Sequence, residues 1–231
     1  MKLTDSIKIM TQSAQKKPIS EFQEPLLDNL EGIDSNDIIA RYAEFAPVYN
    51  QSVNQWGYEV PELVVQSLRQ YVLSTAVPIL DAGCGTGLVG DALVQSGYTQ
   101  IVGMDISHEM LAIAKETECY QKLKQHDLTE IPYPFTDNSF AVVTCIGVFS
   151  QIKNPFPVLF EFCRLVQPGG YFFVTLREEL HARYDYESAL KQLETDGFAR
   201  YQMKTKPMNL LPKHMDYAGR QFSLFAYEVL K

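Results

Sequence analysis

The sequence contains few cysteines, and they do not stand in the pairs that zinc knuckles and disulfide scaffolds use. The chain of 231 residues has four, widely separated and without a C-x-x-C motif: Cys84, Cys119, Cys145 and Cys163. This spacing excludes a dense disulfide framework and a cysteine-based zinc site. We therefore expect a reducing, cytoplasmic compartment and no bound metal.

Long apolar runs and an excess of positive charge are also missing. No stretch approaches the roughly 20 apolar residues that cross a bilayer, and residues 1–30 lack the apolar centre of a secretory signal. The formal net charge of -8 argues against a general nucleic-acid or anionic-membrane surface. We expect neither nucleic acid nor a membrane as a partner, and a monomer or weak homodimer.

The chain divides into a polar N-terminal arm and a patterned remainder. Residues 1–30 predict a flexible arm, and residues 31–231 predict a single domain. Helices are predicted at about 35–45 and 58–73. From Pro78 onward, apolar runs at 78–83, 100–105, 122–127, 139–147 and 171–177 predict strands, followed by strand-like runs at 198–206 and 221–231. Amphipathic helices are predicted between the strands, and one of them runs from Asn154 and ends at Pro168-Gly169-Gly170. The alternation of strands and helices indicates a doubly wound α/β sheet.

The segment ILDAGCGTGLVG, residues 79–90, fits two glycine patterns with different ligands. Gly85, Gly87 and Gly90 match the dinucleotide pattern G-x-G-x-x-G, whereas Gly83, Gly85 and Gly87 match the loop of S-adenosylmethionine (SAM) sites. Asp81 at the end of strand one favours SAM, because a carboxylate repels the pyrophosphate of NAD and attracts an ammonium or sulfonium. No Lys or Arg between 78 and 97 offsets it. Gly90 is then expected to let the helix pack closely on the sheet.

Two further features bear on the choice between these cofactors. Asp105, at the end of strand two, is expected to accept hydrogen bonds from ribose hydroxyls, which both cofactors carry. Its alternative role as a helix cap is less favoured because Ser107 supplies that cap. Tyr120-x-x-x-Lys124 has the spacing of the catalytic pair of short-chain dehydrogenases, but it comes before strand three. We interpret it as an exposed tyrosine and lysine.

Five segments follow one another in the order and spacing of a known superfamily. They are ILDAGCGTG, GMDIS, HDLTEIPYPFTDNSF, CIGVFSQI and LVQPGGYFFVT. From about residue 41 to 231 the chain resembles the class I SAM-dependent methyltransferases. RYAEFAPVYNQSV followed by CGTGLVGDAL also resembles a narrower branch, related to a protein encoded in the Williams–Beuren region. The resemblance implies a Rossmann-like sheet of seven mainly parallel strands, order 3-2-1-4-5-7-6 with strand 7 antiparallel. It also implies a helical cap at 31–75 over a core at 78–231.

The resemblance further implies which residues hold the cofactor: Tyr42, Tyr49, Asp81, Gly83, Gly85, Gly87, Asp105, Ile106, Asp127, Leu128, Ile146 and Gly147. The glycine loop with Asp81 would surround the methionine moiety, and Ile146 and Gly147 would line its side. Asp105 would bind the ribose, and Ile106, Asp127 and Leu128 would contact the adenine. Tyr42 and Tyr49 would form a lid.

Several of these implied roles have alternatives. Asp127 also fits a turn cap, and Tyr42 and Tyr49 also fit core aromatics on one helical stripe. The chain departs from the superfamily pattern at Ala141, where Asp often follows the phenylalanine of strand four. It departs from the narrower branch at Asn50, where the relatives favour Asp.

The function implied is methyl transfer from SAM, with S-adenosylhomocysteine as product, to an unidentified small-molecule acceptor. In-line displacement on a sulfonium needs alignment above all, and no metal or covalent intermediate. Candidate acceptor-side residues are Phe149, Ser150, Gln151, Arg177, Tyr184 and His214. Catalytic candidates are Tyr49, Arg177 as an anion clamp (or paired with Glu178 or Glu179), and His214 as a general base. The alternatives are a non-catalytic SAM-binding sensor or partner subunit, and an NAD-dependent oxidoreductase.

Overall fold

A computed structural model describes residues 35–180, 185–217 and 219–231, so the predicted arm at 1–30 and the candidate Tyr184 lie outside the described residues. The strands form one sheet of order β3-β2-β1-β4-β5-β8-β6. Their bounds are β1 Pro78–Ala82, β2 Gln100–Asp105, β3 Lys122–Gln125, β4 Phe140–Cys145, β5 Val166–Arg177, β6 Ala199–Lys204, β7 Met208–Asn209 and β8 Gln221–Val229.

The pairing of the strands confirms the predicted order and direction. Strands β1 to β5 are parallel, and the last long strand, β8, runs antiparallel between β5 and β6. The sequence did not predict β7, a two-residue strand that pairs with the start of β8. The order reverses between β1 and β4, which places the ligand crevice at the carboxyl end of β1.

Seven α-helices lie in the described residues: α1 Ser35–Phe45, α2 Tyr49–Gln55, α3 Val60–Leu68, α4 Leu88–Gln95, α5 His108–Glu116, α6 Pro155–Leu165 and α7 Tyr186–Thr195. Ser107 caps α5, since its hydroxyl accepts a hydrogen bond from the Met110 N–H at 3.2 Å. Helix α3 is shorter than the predicted 58–73. Helix α2 was not predicted because YNQSVNQ is largely polar and carries no apolar period.

Strand β5 begins five residues earlier than predicted, and Pro168-Gly169-Gly170 lies inside it rather than ending α6. The register with β4 shifts between Phe140 and Val142, which accommodates the extra residues. A side chain at Gly170 would stand 2.5 Å from the carbonyl oxygen of Ala141. Only glycine therefore fits this close approach of the two strands.

Apolar side chains cover both faces of the sheet, as expected for a doubly wound fold. On one face, β1 and β5 pack against α6 and α7 through Leu80, Phe172, Leu159, Phe162 and Leu190. On the other face, α3 and α4 pack against the sheet through Ile79, Phe173, Val64, Leu68 and Leu93. Among the described helices, none is long and apolar enough to cross a membrane.

Candidate active site

The glycine loop connects β1 to α4 at the switch point of the sheet. Gly83 and Gly85 have φ angles of +80° and +54°, in the left-handed region that side chains rarely adopt. A side chain at Gly83 would stand 2.7 Å from Val148, whereas nothing lies within 4 Å of the corresponding position at Gly85. Gly87 precedes α4, also with a positive φ. The loop backbone therefore presents open space at Gly85.

Asp105 ties the end of β2 to this loop. Its Oδ2 accepts a hydrogen bond from the Gly85 N–H at 2.8 Å, and its Oδ1 accepts one from the Ser107 N–H at 2.9 Å. Burial raises the pKa of the carboxyl group, and the backbone donors oppose that rise. Each carboxylate oxygen retains capacity for a further donor. The helix cap comes from Ser107, and the ribose role of Asp105 stays a prediction.

Asp81 lies beneath the loop and is 1% exposed. Its Oδ1 accepts from the Thr144 hydroxyl at 2.9 Å and its Oδ2 accepts from the Tyr120 hydroxyl at 2.7 Å. Burial raises the pKa of this carboxyl group to about 6, and the two hydroxyl donors partly offset the rise. The site thus holds two buried carboxyl groups, Asp81 and Asp105.

Tyr120 corrects a prediction made from the sequence. The sequence predicts an exposed side chain, whereas Tyr120 is only partly exposed and its hydroxyl contacts Asp81. A side chain at Gly90 would stand 2.4 Å from the Tyr120 ring. Gly90 is therefore a packing glycine, as predicted, but Tyr120 rather than the sheet is its partner.

Three tyrosines from the N-terminal helices gather at the mouth of the site. The Tyr42 hydroxyl accepts from Gln151 at 3.2 Å, and the Tyr49 ring meets Phe45 edge-on at 5.3 Å. Burial raises the pKa of both hydroxyls, and the nearby charge of Asp105 raises them further. Both tyrosines are partly exposed, and their role as a lid stays a prediction.

Tyr58 is the third of these tyrosines, and the sequence analysis did not find it. Burial and the neighbouring Tyr42 and Asp81 raise the pKa of its hydroxyl. A side chain at Gly147 would stand 3.4 Å from that hydroxyl. A single aromatic residue just before a helix carries no periodic signal, and only the fold brings it to the site.

Helix α2 is fastened directly to the glycine loop. The Thr86 hydroxyl donates to the side-chain oxygen of Asn50 at 2.5 Å. An aspartate at position 50 could accept the same hydrogen bond, so the contact itself does not require asparagine. A carboxylate at this position would add a third negative charge near Asp81 and Asp105.

A cleft of about 480 Å³ opens beside the end of β3, where the adenine is expected. Its walls include the three predicted adenine residues Ile106, Asp127 and Leu128. Asp127 Oδ1 accepts from the backbone N–H and the hydroxyl of Thr129, both at 2.8 Å. The turn-cap role of Asp127 is thus present, and the residue also lines the cleft.

Ile146 and Gly147 follow β4 and differ in their surroundings. The Ile146 side chain is buried in the core with α3 and α4. Gly147 has a φ of +77°, and its N–H donates to the Thr175 hydroxyl at 2.8 Å. It lines a second cavity of about 30 Å³ together with Ser150, Gln151 and Arg177.

Arg177 makes the ion pair that was one of its two predicted roles. Its Nε donates to Glu179 at 2.8 Å, and its side chain is 12% exposed. Its backbone N–H donates to the Ser150 hydroxyl at 2.9 Å. The guanidinium charge also acts on the Tyr42 hydroxyl, and Arg177 lines the small cavity. Phe149, by contrast, is fully buried in the core.

His214 packs between two aromatic rings rather than standing free in a polar loop. Its ring meets Trp56 at 4.6 Å and Tyr217 at 4.8 Å, both edge-on. Its Nδ1 accepts from the Asp216 N–H at 3.2 Å. These contacts supply a structural role for His214, and its role as a general base stays a prediction.

The arrangement fits a cationic ligand with a nucleoside end. Two carboxyl groups flank a loop with open backbone, and the cleft is lined by Ile106, the residue that follows Asp105. Within the described ranges, no group of three or more His, Cys, Asp and Glu side chains is placed to hold a metal ion.

Comparison with known proteins agrees with this geometry. Residues 80–174 match the family model described as a methyltransferase domain. The chain is 33% identical over 161 residues to the human Methyltransferase-like protein 27, across 68% of this chain and 65% of that protein. It is 26% identical over 205 residues to the ubiquinone biosynthesis O-methyltransferase of Hydrogenovibrio crunogenus, across 78% of this chain and 79% of that protein.

Among solved structures, the cyclase SpnF superposes with a TM-score of 0.68 at 17% identity, across 85% of this chain and 96% of that one. At this identity the likeness shows the fold alone. The chain spans slightly less than two thirds of the length of the human relative. The matched model, these relatives and the order of the sheet all show similarity to SAM-dependent methyltransferases.

Proposed function

We propose that the protein transfers the methyl group of SAM to a small-molecule acceptor by in-line displacement. One observation carries the proposal: two buried carboxyl groups, Asp81 and Asp105, lie at the glycine loop where a cationic donor would be seated. NAD would place its pyrophosphate beside Asp81, and the repulsion disfavours that cofactor. The similarity to ubiquinone biosynthesis O-methyltransferases supports a small acceptor rather than a macromolecule.

Each part of SAM has candidate partners in the site. Asp81 would attract the ammonium of the methionine end, and the open backbone at Gly85 would admit that end closely. Asp105 would accept from the ribose hydroxyls. Ile106 and Asp127 would contact the adenine in the 480 Å³ cleft. When bound, SAM supplies an already activated methyl group, so the chain itself has to align and exclude water.

The tyrosines of the N-terminal segment would close over the cofactor. The hydroxyls of Tyr42, Tyr49 and Tyr58 interact with the charges of Asp105 and Asp81, and a lid at this position would exclude water from the sulfonium. Cys84 is no nucleophile, since burial and the charge of Asp81 raise the pKa of its thiol. A direct transfer without a covalent enzyme intermediate therefore suits the site.

The test is a screen for S-adenosylhomocysteine release when the protein is incubated with SAM and fractionated small metabolites. Mass spectrometry would identify the acceptor by the mass gain of one methyl group. Asp105→Ala should abolish the release, and Asp91→Ala, which removes an exposed carboxylate on α4, should preserve it. If SAM binds tightly but no metabolite fraction supports release, a non-catalytic SAM-binding role replaces the transferase.

A further inference from the structure

Tyr120 is held in a hollow that glycines leave open. It lies just before β3, and a side chain at Gly90 would stand 2.4 Å from its ring and hydroxyl. A side chain at Gly103 of β2 would stand 2.9 Å from the other end of the ring, and one at Gly87 would stand 3.2 Å from it. The ring is thus enclosed from α4 and from the sheet. Its hydroxyl has a fixed direction as a result.

That direction leads to Asp81. The Tyr120 hydroxyl donates to Oδ2 at 2.7 Å, while the Thr144 hydroxyl donates to Oδ1 at 2.9 Å. A carboxylate buried to this extent is unfavourable unless donors compensate for its lost hydration. The two hydroxyls provide that compensation and fix the plane of the carboxylate.

The other titratable groups near Asp81 do not provide it. The charge of Asp105 opposes ionisation of Asp81. The Asp81 charge also interacts with the side chains of Tyr58, Cys84 and Cys145. Burial raises the pKa of this phenol and of both thiols, so all three groups stay neutral. Ionisation of Asp81 before the cofactor arrives therefore depends on Tyr120 and Thr144.

We propose that Tyr120 is a positioning residue for SAM, because its hydroxyl holds the Asp81 carboxylate ionised and oriented toward the ammonium of the methionine end. The proposal rests on the role assigned to Asp81 under the proposed function. Tyr120 itself does not touch the cofactor. It acts through Asp81, from a position 39 residues away in sequence.

The test uses Tyr120→Phe, which keeps the ring in its hollow and removes only the hydroxyl. Calorimetric titration measures the dissociation constants of S-adenosylhomocysteine and of methylthioadenosine, a nucleoside without the ammonium, across a range of pH. Between pH 6 and pH 5 the variant should bind S-adenosylhomocysteine about five- to ten-fold more weakly, as a rise of about one unit in the pKa of Asp81 implies. Its affinity for methylthioadenosine should stay unchanged.

The pH dependence is the second readout. Loss of a donor to the carboxylate raises the pKa of Asp81, so the pH at which S-adenosylhomocysteine affinity falls should move upward by about one unit. Tyr98→Phe is the matched control, since Tyr98 is also a packed tyrosine and its hydroxyl makes one hydrogen bond away from the site, to the Val72 carbonyl at 2.9 Å. That control should change neither the affinity nor its pH midpoint.

Other outcomes separate the two proposals. If Asp81→Asn binds S-adenosylhomocysteine as tightly as the wild type, the role of Asp81 in the proposed function is wrong. If Asp81→Asn weakens binding while Tyr120→Phe changes neither affinity nor midpoint, Tyr120 is not a positioning residue. A Tyr120→Phe variant that weakens both ligands equally, with no shift of midpoint, would show a general packing role and overturn the proposal.

Discussion

Substitution of Gly90 by alanine should destabilise the protein, although helix propensity predicts the opposite. Gly90 lies in the first turn of α4, where alanine is more favourable than glycine by about 1 kcal/mol. The added methyl group, however, would stand 2.4 Å from the Tyr120 ring. The ring must retreat by about 1 Å to reach ordinary contact, and Gly103 and the sheet limit that movement.

Two costs follow from this displacement. Overpacking of a rigid ring costs about 1–3 kcal/mol, and the displaced hydroxyl loses part of its hydrogen bond to Asp81. After the gain in helix propensity, we expect a net loss of about 1–2 kcal/mol in the free energy of unfolding. Urea unfolding followed by circular dichroism measures it as a lower midpoint with an unchanged slope.

A double-mutant cycle with Tyr120→Ala isolates the steric cause. With the ring removed, Gly90→Ala should gain up to about 1 kcal/mol, so the two substitutions should couple by about 2 kcal/mol. The reasoning fails if Gly90→Ala stabilises the protein while Tyr120 is present. It fails equally if the loss is the same in both backgrounds.

Three further predictions concern the cofactor. Asp105→Ala should raise the dissociation constant of S-adenosylhomocysteine by about two orders of magnitude, because hydrogen bonds from the ribose to a charged acceptor are lost. Calorimetry tests this, with Asp91→Ala as the control. An unchanged affinity of Asp105→Ala would refute the ribose role. Lowering the pH from 7.5 to 5 should weaken the binding of S-adenosylhomocysteine about ten-fold. Burial puts the pKa of Asp81 at about 6 rather than 3.8, and the ionised form, which is present above that value, binds the ammonium. An affinity that does not change with pH would contradict the account. Tyr49→Ala should weaken the binding of S-adenosylhomocysteine a few-fold. The melting temperature of the ligand-free protein should change little, because the Tyr49 side chain is partly exposed. A large fall in melting temperature would identify Tyr49 as a core residue.

The parts of the site that follow one another along the chain were predictable from the sequence. The glycine loop and Asp105 stand at the ends of strands whose order follows from their alternation with helices. Ser107 was identified as the helix cap from its position alone, which left Asp105 available for another role. Local patterns of this kind are set by backbone geometry within a few residues.

Contacts across the sheet were not predictable. Tyr120 reaches Asp81 only because Gly103 leaves the face of β2 open, and no pattern within one strand reveals a hollow between two. The polar helix α2 has no apolar stripe, and its position depends on the Asn50–Thr86 hydrogen bond. The choice of Arg177 between an ion pair and an open clamp depends on side-chain rotamers, which sequence does not specify.

The central claim, that the glycine loop seats SAM, is tested most directly by titrating the protein with S-adenosylhomocysteine and with NAD under the same conditions. We predict saturable binding of S-adenosylhomocysteine, with a stabilisation of about 2.7 kcal/mol at a hundred-fold excess over its dissociation constant, and no heat with NAD. Saturable binding of NAD, with none of S-adenosylhomocysteine, would contradict the assignment.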